Sequence, residues 1–431
     1  MTIYEADWLC PVSGPPVRGG RLAVENGRVI DAAGGSAESV IFRDCAIIPG
    51  FVNAHTHLEL TILRGFLEDL PFPSWIRRLT YAKYEQLSGA DILLSARLGA
   101  IEMICAGVTC LGEVMDHGAA WNAMREFGLQ GIAYQEVFGP AESQAAEAFA
   151  GLREKAETYR SDETETLRAG VSPHAPYTVS AKLYQLVNDY ARRESLPVTA
   201  HIAESKEEGE FVRYGRGPFA ERLRERGIPV SAAGSSPLAY LDRLGLVRPK
   251  TLLIHAIDLD DSDFDILREK RPAVVHCPKS NAKLAHGIAR LQEMKDAGVT
   301  LGIGTDSVAS NNVADMFEEM RTAIFQQRAR TGRLDALNAE SVFRMATLGS
   351  AECLGLSQHL GSLDIGKRAD FVVVDLSDIA VRPVYDPIEA MVYSASRHNI
   401  RATYIGGREV KIDASEMLRE CDAVAKRLAG I

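Results

Sequence analysis

Pro49-Gly50-Phe51-Val52-Asn53-Ala54-His55-Thr56-His57 is the stretch on which the reading of the fold turns. The apolar run Ala46-Ile47-Ile48 leads into it, and residues 46–52 read as a buried strand. Residues i and i+2 of a strand point to the same side. His55 and His57 therefore project together from the strand's carboxyl end. Two imidazoles held that way can grip one metal ion. A chance pair is the plain alternative, and the rest of the chain has to decide between them.

Moving outward, short apolar runs recur at 108–114, 131–137, 167–172, 197–202, 251–256, 273–277 and 300–305. With 46–52 they make eight. Helix-like stretches lie between them, at 95–106, 145–160, 181–195, 218–226, 261–270 and 289–297. Strands alternating with helices predict an α/β fold, a (β/α)8 TIM barrel whose working residues gather at the strands' carboxyl ends. A doubly wound open sheet is disfavoured, because no Gly-x-Gly-x-x-Gly turn follows an early strand.

The two ends of the chain read differently. Arg21-Leu22-Ala23-Val24 and Arg28-Val29-Ile30 flank Glu25-Asn26-Gly27, an Asn-Gly hairpin signal. Strand-like runs return at 371–374, 402–405 and 409–412, after a helix at 341–354 and before a terminal helix at 417–429. The expected organisation is a barrel over residues 46–355. Beside it stands a small β-sandwich formed by 1–45 and 356–431, the latter ending in the helix.

Composition narrows the partners. A net charge of −10 argues against binding a phosphate backbone, so no nucleic acid is expected. No apolar run approaches the roughly 20 residues of a membrane helix, and Met1–Asp7 has neither the basic nor the apolar region of a signal peptide. The seven cysteines are scattered, with no C-x-x-C pair, which suits a reducing cytoplasm.

Five of the eight predicted strand ends carry residues suited to metal chemistry or its support. His55 and His57 follow the first and His174 the fourth. His201 ends the fifth, with Glu204 three residues on. His255 ends the sixth and Asp306 the eighth. Singly, each has an ordinary explanation as a satisfied polar residue, a helix cap or a first-turn acid. Jointly they ring one barrel mouth. Imidazoles with a carboxylate suit zinc or iron(II) better than magnesium or calcium, which prefer oxygen shells. His276 reads as mainly structural and His286 as a rim residue, while His117, His359 and His398 read as surface or loop residues.

The combination of 49–57, Ser-Pro-His-Ala-Pro-Tyr (172–177), His-Ile-Ala-Glu (201–204), Leu-Ile-His-Ala (253–256), His-Cys-Pro-Lys-Ser-Asn (276–281) and Gly-Thr-Asp-Ser-Val-Ala-Ser-Asn (304–311) resembles the amidohydrolase superfamily. It is most similar to the branch holding adenosine-type and aminodeoxyfutalosine deaminases and triazine hydrolases. The resemblance implies one divalent metal ion, zinc or iron(II), bound by His55, His57, His201 and Asp306. It implies Glu204 as proton shuttle, His255 as the residue orienting the attacking water, and His174 facing the substrate base. Members with two metals use a modified lysine on the fourth strand. Residues 167–174 contain no lysine, so one metal and deamination are expected.

The resemblance also frames the substrate. S-adenosylhomocysteine deaminases are similar from His57 to Trp75, and by that likeness Glu85 would bind ribose hydroxyls. Their arginines after the third strand, which clamp the amino-acid carboxylate, have no match in Gln135-Glu136-Val137-Phe138-Gly139-Pro140. His57-Leu58-Glu59-Leu60 and 276–281 look more like the aminodeoxyfutalosine deaminases of menaquinone biosynthesis. The expected reaction is therefore deamination of 6-amino-6-deoxyfutalosine with release of ammonia. Deamination of S-adenosylhomocysteine, methylthioadenosine or adenosine, and triazine hydrolysis, are the alternatives. A homodimer is the expectation for the branch.

Overall fold

Gly50 divides the run that the sequence reading joined. In the structure, a computed structural model that describes residues 1–31 and 38–430, Glu38–Pro49 belongs to the small sheet and Phe51–Thr56 is the first barrel strand. A Cβ at Gly50 would lie 2.1–2.8 Å from the Thr109 side chain. Only glycine lets the chain pass from one sheet to the other there. Apolar content continues through the junction, so hydrophobicity alone gives no sign of it.

The barrel strands are β1 (Phe51–Thr56), β2 (Val108–Met115), β3 (Gln130–Val137), β4 (Leu167–Pro173), β5 (Val198–Ile202), β6 (Thr251–His255), β7 (Ala273–His276) and β8 (Thr300–Ile303). Each pairs in parallel with the next. The turn after β8 closes the ring on β1. Asp306 N–H donates to the His55 carbonyl at 2.9 Å, and Asn53 binds Thr305 through both its amide atoms. Gly304 makes the approach possible, since a Cβ there would sit 2.8–2.9 Å from His55. Phe51, fully buried, meets Phe317 edge-on at 5.1 Å. Burying such a ring contributes about 1.5–3 kcal/mol.

The two ends of the chain form one hydrogen-bonded eight-stranded sheet. Its order is Arg408–Glu409, Ile400–Ile405, Phe371–Asp375, Glu38–Pro49, Thr2–Leu9, Arg21–Glu25 and Arg28–Ile30, with Val17–Arg18 beside Thr2–Leu9. Alternation gives the sheet two buried faces. Cys45 and Ile47 join Tyr4, Phe371 and Tyr404 in a small aromatic core, where Phe371 and Tyr404 stack at 4.3 Å. Ala46 and Ile48 face the other way, into the barrel-side core with Met103 and Val372.

The helix expected at 95–106 starts earlier, as Gly89–Cys105. Ser88 and Asp91 form a reciprocal capping box that fixes its start. The terminal helix Ser415–Ala429 leans on it, with Arg427 donating to Asp91 at 2.6 Å. Among the described residues no helix is long and apolar enough to cross a membrane.

Candidate active site

His55 is the second-last residue of β1 and fully buried, and neither ring nitrogen has a hydrogen-bond partner. A buried polar atom without a partner is costly, so such a residue needs an explanation. His57, two residues on, is held by its Nδ1 against the Val114 carbonyl at 3.0 Å. That contact fixes the tautomer and leaves Nε2 as a lone pair directed inward. His201 comes from β5, and its Nδ1 is likewise unpartnered. One nitrogen from each of these three histidines lies within 4.8 Å of the others. Asp306 completes the set from the turn after β8, its Oδ1 3.4 Å from His55 Nε2 and 3.7 Å from His57 Nε2. Ligand atoms about 2.0–2.2 Å from one tetrahedral ion lie roughly 3.3–3.6 Å apart, and the two Asp306 distances lie close to that spacing.

Electrostatics agree with that use. Burial drives the His57 and His201 pKa values well down, so both are neutral, as metal ligands must be. Burial alone would raise Asp306, but the His55 contact and the other imidazoles hold it well below the usual carboxylate range. Ser280 Oγ donates to Asp306 Oδ2 at 2.6 Å, and Ser307 N–H to Oδ1 at 2.6 Å. Asp306 sits at φ +58° and His255 at φ +73°. Residues other than glycine are uncommon there, though Asp and His enter it more readily than most, and such positions gather at functional sites.

Glu204 follows β5 in a turn fixed from below. The Glu208 carboxylate accepts from Ala203 N–H at 2.8 Å and from Glu204 N–H at 2.9 Å. Glu204 Oε1 lies 3.6 Å from His255 Nε2 and 3.4 Å from His286 Nε2. Burial favours its neutral form, yet these two imidazoles win and lower its pKa. His255 is oriented by Asn281, whose Oδ1 is 2.9 Å from Nδ1. His286 is thus a buried neighbour of Glu204, edge-on to Phe72 at 4.5 Å, and not a rim residue. His276 is fully buried beside Asn281, with burial pushing its pKa down to about 3. His117, His359 and His398 lie away from the cluster, His359 paired with Glu165 at 3.3 Å.

These groups form the floor of a cavity of about 810 Å³, within the range of small-molecule sites. His174 reaches it from the end of β4, its Nδ1 2.7 Å from Thr178 Oγ1 and its ring 4.9 Å from Phe138. Burial pushes its pKa down to about 4. Glu85 lies on the cavity's exposed rim.

Three residues that line or support the cavity are absent from the expected set. Glu136 ends β3, is buried, and has an unpartnered Oε1 4.0 Å from both His174 and His201. Burial pushes it up to about 8, with Lys83 opposing. Its strand-end position is the signal that could have placed it here. Lys83 reaches in from the helical turn Ala82–Gln86 and pairs with Asp116 at 3.3 Å. Asp116 also accepts from the Tyr84 hydroxyl. No sequence pattern marks Lys83, because its partners are remote in the chain.

The family model described as "Amidohydrolase family" matches residues 46–410. A 5-methylthioadenosine/S-adenosylhomocysteine deaminase of Syntrophobacter fumaroxidans is 34% identical over 95% of this chain and 92% of its own length. The crystal structure of an adenosine deaminase from Xanthomonas campestris with bound zinc superposes with a TM-score of 0.89 at 29% identity, covering 100% of this chain and 99% of its own. The Helicobacter pylori aminofutalosine deaminase in complex with methylthio-coformycin shares the fold, with a TM-score of 0.81 at 19% identity over 95% of this chain and 100% of its own.

Proposed function

Because the chain belongs to the amidohydrolase family, we propose that it is a hydrolytic deaminase of 6-aminopurine nucleosides extended at the sugar's 5′ end, acting first on 6-amino-6-deoxyfutalosine. The observation that carries the chemistry is the meeting of His55, His57, His201 and Asp306 beside Glu204 and His255. These four residues would hold one zinc or iron(II) ion. Such an ion supplies Lewis-acid activation of water near neutral pH.

The chain's own residues do the rest. Glu204 Oε1 takes a proton from the incoming water and returns it to the purine ring nitrogen, which must be protonated as the ring carbon is attacked. The carboxylate is well placed because its pKa is lowered, so it starts as a base. His255, fixed by Asn281, keeps its Nε2 near both Glu204 and Asp306 and orients the water. We assign His174 to the base and Glu85, at the rim, to the ribose; both line the cavity. A second proton, carried by Glu204 from the added hydroxyl to the amino group, lets ammonia leave as the carbonyl forms.

The cavity volume supports a substrate larger than adenosine alone. The curated relatives are named for methylthioadenosine and S-adenosylhomocysteine, and this supports those two nucleosides as the second reading. Ammonia release from adenosine, methylthioadenosine, S-adenosylhomocysteine and 6-amino-6-deoxyfutalosine tests the choice. The last should give the highest kcat/KM. Efficient turnover of S-adenosylhomocysteine with none of 6-amino-6-deoxyfutalosine would replace the first reading by the second.

A further inference from the structure

We infer that the mouth of this cavity is a carboxylate subsite, built by Arg77 and Arg78 on one helix and Arg222 and Arg226 on another; the inference rests on the nucleoside reading of the floor. All four arginines line the same cavity as His174 and Glu204. They come from Phe72–Tyr81 and from the Pro218–Glu225 helix with its following residue. The two helices meet through Phe72 and Phe219, edge-on at 6.0 Å, and Phe219 stacks on Tyr177 at 4.0 Å. Arg222 lies three residues beyond Phe219 and Arg226 four further. Both therefore share the face that carries Phe219 toward the cavity.

No carboxylate among the described residues takes up these charges; Arg78 lies over the Phe66 ring at 5.8 Å. All four arginines are exposed, and among the described residues none forms an ion pair with a carboxylate. Their neighbours behave otherwise. Arg213 pairs with Asp258 and Asp260, Arg216 with Glu210, and Arg224 donates to the Gly215 carbonyl. Planar guanidinium groups suit bidentate binding of a carboxylate.

Position selects the ligand. With the purine held at the floor beside Glu204 and His174, the 5′ end of the nucleoside is directed toward the mouth. Between floor and mouth runs an apolar stretch with Phe72, Trp75, Tyr177 and Phe219, which fits a ring. The subsite fits a nucleoside whose 5′ tail carries an aromatic ring and a lone carboxylate. An amino-acid tail would bring an ammonium group beside four arginines.

The test uses two adenine nucleosides that differ at one group, a 5′-linked benzoate and its methyl ester. The wild-type enzyme should favour the acid by about tenfold or more in kcat/KM, mainly through KM, and added salt should shrink the preference. Arg222→Gln with Arg226→Gln, and separately Arg77→Gln with Arg78→Gln, should each lower the acid-to-ester preference severalfold. The matching lysine pairs should keep part of it. Calorimetric titration with the acid gives a second readout that needs no turnover, and its Kd should weaken in the same variants. No preference in the wild type, or an unchanged preference and Kd in both glutamine pairs, overturns the subsite. If neither nucleoside is deaminated but binding of the acid depends on the arginines, the subsite stands and the proposed reaction falls.

Discussion

The floor and the mouth of the cavity are built in opposite ways. At the floor, side chains come from strand ends, are buried, and have their geometry fixed by outer partners. Val114 holds His57, Asn281 holds His255, Ser280 holds Asp306, and Glu208 shapes the turn that presents Glu204. The arginines of the mouth are exposed side chains on two helices, and among the described residues none of them pairs with a carboxylate. A reaction centre needs placement within a fraction of an ångström, which packed strand ends provide. A subsite for the distal end of a substrate needs charge and reach, and long side chains on helices suffice. The comparison therefore separates chemistry from selection.

The largest break falls on the floor. His201→Ala should lose most of the metal that the purified wild type holds at about one ion per chain. Its turnover loss should pass the roughly 10⁴-fold upper range of a single acid–base group. Metal analysis and ammonia assay check both. A variant that keeps its metal would move the binding point away from His201.

Glu204→Gln keeps the shape and removes the proposed proton shuttle. We expect metal content as in the wild type and turnover lower by about 10²–10⁴-fold. Near-normal turnover would assign the proton transfer to another group.

Lys83→Met tests the polar wall between the two regions. It leaves Asp116, whose side chain is only 15% exposed, without its lysine, and Glu136 loses the same charge. Removing one partner of a buried pair costs about 3–5 kcal/mol. Urea unfolding should show this as a lower midpoint with an unchanged slope. A loss below about 1 kcal/mol would mean that the pair is solvated like a surface one.

Ser280→Ala is a finer probe of the floor. Removing an outer partner of a metal ligand typically costs about 10–100-fold in affinity or activity, and ion-competition titration should show the weakened metal. Equal metal affinity and rate would show that Ser307 N–H and Ser310 Oγ, the latter 3.1 Å from Oδ2, suffice to hold Asp306.

The smallest effect lies outside both regions. At Glu293, burial alone raises the pKa, but Arg330 and Arg290 lower it to about 2. A depressed carboxylate pKa contributes stability above the ordinary glutamate value, and that contribution is lost as pH falls toward about 2. The group is one-third exposed, so its worth at neutral pH is below about 1 kcal/mol. Glu293→Gln should lower Tm slightly at pH 7, and the difference should shrink toward pH 3. A constant difference would exclude the ion pairs as its cause.

Much of the floor is legible in the sequence, because strand-end residues reveal themselves by position. His55, His57, His174, His201, His255 and Asp306 each stand at or just after the end of an apolar run, and barrel closure brings such ends to one mouth. The resemblance supplied the roles. The junction at Gly50 is not legible, since apolar content runs through two strands that belong to different sheets. His286 reads as a rim residue because Leu284-Ala285-His286-Gly287 lies at no predicted strand end, yet the chain folds it against Phe72 and Glu204. Lys83 and the four arginines are equally silent. A lysine or arginine on a helix is ordinary until its surroundings are known.

The sequence by itself determined the barrel, the metal-type residues and the missing lysine of the fourth strand, because each depends on local pattern or on residue identity. The tertiary structure alone decided which nitrogen of His57 is free, that Asn281 orients His255, that Glu136 and Lys83 share a wall, and that two helices turn arginines to one opening. These are contacts between residues tens to hundreds of positions apart. Local periodicity carries no information about them, and they exist only once burial has brought the elements together.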